Sequence, residues 1–242
     1  MIKIENTEVT GWEAAIRGMR NPMNSWEKSD SVFTQHELED WPHNTIKTFD
    51  DLGPNDLDLM TRLRNSGTDH RKFMRMITVY LDITAPLYWW KEFDTYKGGN
   101  VANSCSTMHK IAEKEFDVND FSHEHIEELD GDEYNMSYDW LLRTVNILNY
   151  YRKEYNIASE KLKRTDLTEA ERKHVLAQQK LYWWQMIQLL PSSYNQRRTV
   201  MLNYEVLANI YKSRKGHRLD EWKTMLDWIE ELPYAELITG GK

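Results

Sequence analysis

Four polar side chains stand out among apolar neighbours near the end of the chain: Arg197, Asn203, Asn209 and Arg214. A guanidinium presents two parallel N–H groups to a phosphate or a uracil-like oxygen, and a carboxamide both donates to and accepts from a base edge. The plainer reading is that the arginines lie on the surface and pair with the acidic excess. A second stretch runs from Ala85 to His109. Its entry, Ala85-Pro86-Leu87-Tyr88-Trp89-Trp90, is apolar and aromatic. Its exit, Lys97-Gly98-Gly99-Asn100 and then Asn103-Ser104-Cys105-Ser106, is small and polar. A buried entry leading into a glycine turn is a common way to mount a site on a rigid element. Cys105 is a candidate nucleophile if Lys97 or a helix N-terminus stabilises its thiolate; the alternative is a small residue filling a tight turn. His123 and His125 have metal-ligand spacing but no third ligand nearby. There is no P-loop, no paired CxxC zinc site and no G-x-S-x-G elbow, and Gly98-Gly99 is not part of a dinucleotide fingerprint.

Composition bounds what such a site can serve. The 242 residues are 40% hydrophobic, enough for a substantial core. Ten tryptophans and thirteen tyrosines supply either thick aromatic packing or stacking faces for a flat ligand. A net charge of -8 argues against general nucleic-acid binding, which needs a basic face to displace counterions. It leaves room for a small anion held by a few local arginines. The single cysteine, Cys105, allows no intramolecular disulfide and fits a reducing interior. With no signal-like N-terminus and no apolar window near ~20 residues, the expectation is a soluble cytoplasmic protein, with neither nucleic acid nor membrane as a partner.

The elements that position these residues follow from periodicity. Met1 to Val9 alternates as a strand, and Trp12 to Arg20 reads as a short helix. Met23 to Phe49 is polar and irregular, with Trp26, Trp41 and Pro42, and is expected to be a long loop. Leu57 to Arg64 has helical spacing, Met76 to Ile83 is β-branched and strand-like, and Leu87 to Phe93 restarts as a helix with proline in its first turn. Gly98 to Asn103 is a turn, and a helix capped by Ser104 or Ser106 is expected through Ile111 to about Phe116. Asp117 to Asn135 reads as an acidic loop. Ser137 to Glu154, extended by Ile157 to Lys163, and Thr168 to Leu189 predict an antiparallel helix pair, the second opened by a Thr168/Glu171 capping box. After Pro191, helices are expected over Gln196 to Ser213 and Leu219 to Leu232. The chain reads as one helix-rich α+β domain with few strands.

On these residues the C-terminal third resembles the flavin-dependent thymidylate synthases. That family carries a Leu-Pro, an arginine, two asparagines and a final arginine along one long helix. Leu190-Pro191, Arg197, Asn203, Asn209 and Arg214 fall at its spacing. His217 and Glu221-Trp222 look like the His-Ala-Gln-x-Glu-Ile segment that follows, with one residue deleted. Gly67, Phe73, Ala85-Pro86 and the aromatic helix resemble the approach to the family's signature, so the similarity runs from about Leu57 to Arg214. At the signature itself, Thr95-Tyr96-Lys97 stands in place of Arg-His-Arg. Asn103 to His109 stands in place of Asn-Glu-x-Ser-x-Arg-Tyr, with only Lys97, Asn103 and Ser106 keeping related chemistry. Met108 replaces a phosphate arginine, and Glu205 replaces an arginine usual two residues after the first asparagine.

The resemblance implies a helix-rich single α+β domain over 1–242, with a small antiparallel sheet packed on long helices. It implies reductive methylation of dUMP or a related pyrimidine nucleotide, with FAD as cofactor and with NADPH and methylenetetrahydrofolate as co-substrates. The assembly implied is a homotetramer with its sites between subunits. Arg214 is the implied catalytic residue, stabilising charge on the uracil. Arg197, Ser106, Lys97 and Arg214 are the implied substrate contacts, and Asn203, Asn209, Lys91 and Tyr96 the implied cofactor contacts. A non-catalytic nucleotide-binding or regulatory protein on the same fold is the alternative that the altered signature leaves open. A helical interaction protein with a chance motif match is the third, and it predicts no antiparallel sheet.

Overall fold

The computed structural model describes residues 1–37, 45–126 and 136–240. Strand β1 (Lys3–Thr10) turns through Gly11 into helix α1 (Trp12–Arg20). Gly11 has φ 92, and a Cβ there would lie 2.0 Å from the Met76 carbonyl oxygen, so this turn requires glycine. Helix α1 buries Trp12, Ala15, Ile16 and Met19, the three-and-four spacing of one face. Strands β2 (Val32–Glu37) and β3 (Thr45–Asp51) pair antiparallel, with Phe33 opposite Phe49 and Thr34 opposite Thr48. Helix α2 (Pro54–Asn65) starts on its proline. Strand β4 (Thr78–Pro86) buries Val79, Leu81, Ile83 and Ala85 in strict alternation.

Short elements follow: α3 (Leu87–Phe93), β5 (Val101–Ser104) and α4 (Thr107–Lys110). The long helices are α5 (Met136–Leu162) and α6 (Glu169–Leu189), and α6 opens on the capping box formed by Thr168 and Glu171. Strand β6 (Asn195–Asn203) runs directly into α7 (Tyr204–Arg214), which is followed by α8 (Asp220–Glu230) and α9 (Glu236–Thr239). Among the described residues the strands form one four-stranded sheet, ordered β1-β4-β6-β5, and the β2–β3 hairpin. The chain is a helix-rich α+β protein with a small antiparallel sheet.

The backbone falls into two compact units: 1–3, 84–93 and 103–198 form the first, and 4–83, 94–102 and 199–242 the second. In the first, α5 and α6 run antiparallel. Arg172 donates to the Leu162 carbonyl at 3.1 Å, Gln179 donates to the Ser159 hydroxyl at 2.8 Å, and the rings of Tyr151 and Tyr182 lie 6.3 Å apart. Their shared core includes Phe116, Phe121, Leu141, Leu148 and Met186. Trp89, Trp90 and Phe93 form a separate buried aromatic cluster on α3.

In the second unit Trp12 is stacked on Phe49 at 4.8 Å and meets Tyr204 and Tyr234 edge-on. Beside it lies a buried ion pair, Arg20 Nε to Asp56 Oδ1 at 2.6 Å. The other Asp56 oxygen accepts from the hydroxyls of Ser29 and Ser31, each at 2.7 Å. Burial alone raises the Asp56 pKa, but hydrogen bonds from Ser31, Ser29 and Arg20, with the Arg20 charge, outweigh it and hold the carboxyl below its ordinary value.

Four sequence expectations are corrected. The described residues of 23–49 are not an irregular loop: they contain 3-10 turns and the paired strands β2 and β3, in which Phe33 faces Phe49 and Thr34 faces Thr48. Trp41 and Pro42 lie outside the described residues. The helix expected over Gln196 to Ser213 is a strand as far as Asn203, because Val200 and Leu202 are buried while Arg197 and Thr199 are exposed, the period of a strand. The helix expected to reach Phe116 stops at Lys110. There the backbone is taken by side chains: Asn149 bonds both the N–H and the carbonyl of Phe116, at 2.9 and 2.7 Å, and Asn156 donates to the Ala112 carbonyl at 3.2 Å. Pro86 closes β4 rather than opening α3.

Asp56→Asn leaves the Arg20 guanidinium buried without its counter-charge and is expected to cost about 3–5 kcal/mol in urea unfolding. Asp58→Asn, in an exposed pair with Arg62, should cost under about 1 kcal/mol. A carboxyl depressed in the folded state stabilises above its unfolded value of about 4. The gap between wild type and Asp56→Asn should therefore shrink as pH falls through the lower folded value.

Candidate functional site

The second unit holds Tyr96, Lys97, Asn203, Asn209 and Arg214; the first holds Lys91, Ser106 and Arg197. In the second, the point of departure is the junction of β6 and α7. Asn203 is buried, and its Oδ1 accepts from the Val206 N–H at 3.0 Å, capping α7. Its Nδ2 donates to the Gly99 carbonyl at 3.2 Å. Gly99 has φ 87, and a Cβ there would come within 2.7 Å of that same Nδ2. The glycine turn therefore lets the 94–102 segment close against the start of α7.

Helix α7 carries Arg214 at its other end. Arg214 Nε donates to the Tyr96 hydroxyl at 2.8 Å, and Tyr96 in turn lies 2.6 Å from the Ser213 hydroxyl. The guanidinium sits over the Trp222 ring at 4.4 Å and the Tyr96 ring at 5.4 Å. Arg214 Nη1 lies 3.1 Å from His217 Nε2. His217 Nδ1 accepts from the Leu219 N–H at 3.1 Å.

In the first turn of α7, Glu205 lies about a half-turn from Asn203 and is buried. It accepts from Arg71 Nε at 3.3 Å and from Arg75, and Arg71 Nη2 donates to Asn209 Oδ1 at 3.3 Å. Burial raises the Glu205 pKa, but the hydrogen bonds and charges of Arg75 and Arg71 outweigh it, so the carboxyl titrates below its usual range. Lys97 is exposed.

In the first unit Ser106 caps α4, its hydroxyl accepting from the His109 N–H at 3.2 Å. Arg197 has an exposed side chain, and its carbonyl accepts from the Cys105 N–H at 2.9 Å. Lys91 is exposed on α3. His123 Nδ1 lies 2.8 Å from the Phe121 carbonyl, and among the described residues no three His, Cys, Asp or Glu side chains gather as a metal site.

The structure thus joins Arg214 to Tyr96 and Asn203 to Gly99, and leaves Lys97 apart at the surface. Sequence reasoning missed Arg71 as the partner of both Glu205 and Asn209, and Trp222 as the platform under Arg214. The second had a signal, since His217 and Trp222 follow Arg214 in the segment already singled out. The first had none, because Arg71 and Glu205 are far apart in sequence. Gln196 was missed too: it donates to the Cys105 carbonyl and the Thr107 hydroxyl, both at 3.1 Å.

No family model matches the chain, and no curated protein matches it. Solved structures do. A flavin-dependent thymidylate synthase, ThyX, from Helicobacter pylori, complexed with FAD and dUMP, matches with TM-score 0.61 at 15% identity, over 98% of each chain. Another structure of Helicobacter pylori ThyX with FAD and dUMP matches with TM-score 0.59 at 13% identity, over 99% of this chain and 98% of that one. The UMP/dUMP methylase PolB from Streptomyces cacaoi, bound with 5-Br dUMP, matches with TM-score 0.53 at 14% identity, over 100% of this chain and 96% of that one. At these identities the likeness establishes a shared fold.

Asn203→Ala removes both the α7 cap and the tie to Gly99 and is expected to cost about 1–2 kcal/mol in chemical denaturation. Asn203→Asp keeps an acceptor for the Val206 N–H and should cost less. Equal losses for the two would mean that the cap is not what Asn203 contributes.

Proposed function

We propose that this chain binds a pyrimidine nucleotide of the dUMP type, with Arg214 as the contact to a ring oxygen. The observation that carries this reading is the fixed setting of Arg214: bonded to Tyr96, seated on Trp222 and 3.1 Å from His217 Nε2. A guanidinium oriented on three sides costs little to reorganise when negative charge develops on a uracil oxygen. For Arg197 and Ser106 the proposal keeps the phosphate role that the resemblance implies, to be tested one residue at a time.

The residues assigned to FAD do not make a flavin-binding set as they stand. Asn203 uses both ends of its amide inside the protein, Tyr96 is held by Arg214 and Ser213, and the Asn209 carbonyl is taken by Arg71. Where the family has an arginine, Glu205 places a buried carboxylate that takes up Arg71 and Arg75. No step through flavin is derived from these side chains. The reading of nucleotide binding without flavin follows from them.

The second reading is the flavin-dependent methylation of dUMP, with NADPH and methylenetetrahydrofolate. The shared fold with structures holding FAD and dUMP favours it. One preparation separates the two. Protein incubated with FAD and desalted should show no band near ~450 nm under the first reading, whereas a retained band bleached by NADPH supports the second, since that hydride chemistry belongs to the cofactor.

Titration calorimetry with dUMP tests the shared premise. Arg214→Ala should weaken binding at least about tenfold, the loss of roughly 1.4 kcal/mol or more, with an unchanged far-ultraviolet circular dichroism spectrum. Unaltered dUMP affinity in the folded variant would remove Arg214 from the site.

A further inference from the structure

Strand β6 sets its side chains on two faces. Gln196, Arg198, Val200 and Leu202 share one, and Arg197 and Thr199 stand on the other. The turn that carries Ser106 is held from the first of these faces. Gln196 Nε2 donates to the Cys105 carbonyl and to the Thr107 hydroxyl, both at 3.1 Å, so one amide grips the chain on either side of Ser106. Trp183 Nε1 holds the turn further on, donating to the Met108 carbonyl at 2.9 Å. Arg197 joins the turn through its backbone carbonyl, which accepts from the Cys105 N–H, while its side chain stands on the opposite face.

The other end of the Gln196 amide reaches Arg198. Gln196 Oε1 accepts from Arg198 Nε at 3.0 Å. The guanidinium lies over the Trp90 ring, 4.1 Å from its centroid. Trp90 is itself fixed: it is buried, and its Nε1 donates to the Gln196 carbonyl at 2.9 Å. The half-buried Arg198 is thus oriented by a hydrogen bond at Nε and by a ring face. The edge it can turn to a ligand is the outer one, formed by the two Nη groups, and a fork set in advance loses little entropy when it meets an anion. The Thr107 hydroxyl accepts from Gln196, so its own proton is directed away from that amide.

We propose that Arg198 is the guanidinium that meets the phosphate of the bound nucleotide beside Ser106, in place of the arginine that Met108 replaces, with Gln196 as its positioning residue. The inference rests on the nucleotide reading and adds to it a residue that the resemblance does not mark.

Calorimetry of the full chain with dUMP and with deoxyuridine, which lacks the phosphate, tests it. Wild type should bind dUMP at least about tenfold more tightly than deoxyuridine. Arg198→Met keeps an apolar stem on Trp90; it should weaken dUMP at least about tenfold and leave deoxyuridine within about twofold. Arg198→Lys, a point charge without the fork, should recover part of the loss. Gln196→Leu leaves the guanidinium in place but unoriented, and should also weaken dUMP without changing deoxyuridine, a selectivity that a general loss of structure does not produce. Circular dichroism and thermal melting confirm that each variant is folded. A wild type that binds neither compound refutes the nucleotide reading and this inference with it. A wild type that binds both equally, or an Arg198→Met chain that keeps the full preference for dUMP, leaves nucleotide binding standing and overturns the role of Arg198. So does a preference that is lost in Arg197→Ala and intact in Arg198→Met.

Discussion

The Asn203 side chain is the constraint on which the rest of the second unit depends. A strand that becomes a helix without a loop leaves the first helical N–H groups unsatisfied. Asn203 answers this with Oδ1 on Val206 while its Nδ2 holds Gly99. Those two bonds set where α7 begins and where the 94–102 segment passes. Tyr96, on that segment, and Arg214, at the far end of α7, meet as a result. The contact between them is thus a consequence of the junction, and the aromatic and histidine neighbours refine it.

Electrostatics in this unit run against the composition. The chain carries a net charge of -8, yet the exposed and half-buried groups along α7 include Lys212, Arg214 and Lys215. A cavity of about 310 Å³ is lined by Arg64, Arg71, Lys212 and Lys215 among others. Arg64 shows the cost of this gathering: burial first, and then the neighbouring Arg71 charge, lower its pKa. Glu205 offsets part of that repulsion by binding Arg71 and Arg75. An arginine at position 205 would have added to it, so the charge at this position and the pair of arginines on the 71–75 turn belong together.

Much of this was legible in the sequence, for reasons that can be named. The α5–α6 pair showed helical period and a capping box, both local signals. β4 showed β-branched residues in partial alternation, and Arg214 stood out by residue type and by its place in the resemblance. What was hidden depends on contacts between distant residues. Asn203 looked like a ligand-binding amide because a buried amide inside an apparent helix has no other use; once β6 is a strand, it is a cap. The 23–49 segment looked irregular because its apolar residues are few and its pairing partners unknown from one strand alone. The early stop of α4 is written by Asn149, more than thirty residues away.

The central claim is that Arg214, held by Tyr96 and seated on Trp222, contacts a ring oxygen of a pyrimidine nucleotide. The most direct measurement is a nitrogen-edited NMR titration that follows the Arg214 Nε–H as dUMP is added. The account expects that signal to move and to saturate at one dUMP per chain. A signal that stays in place while dUMP binds elsewhere would contradict it.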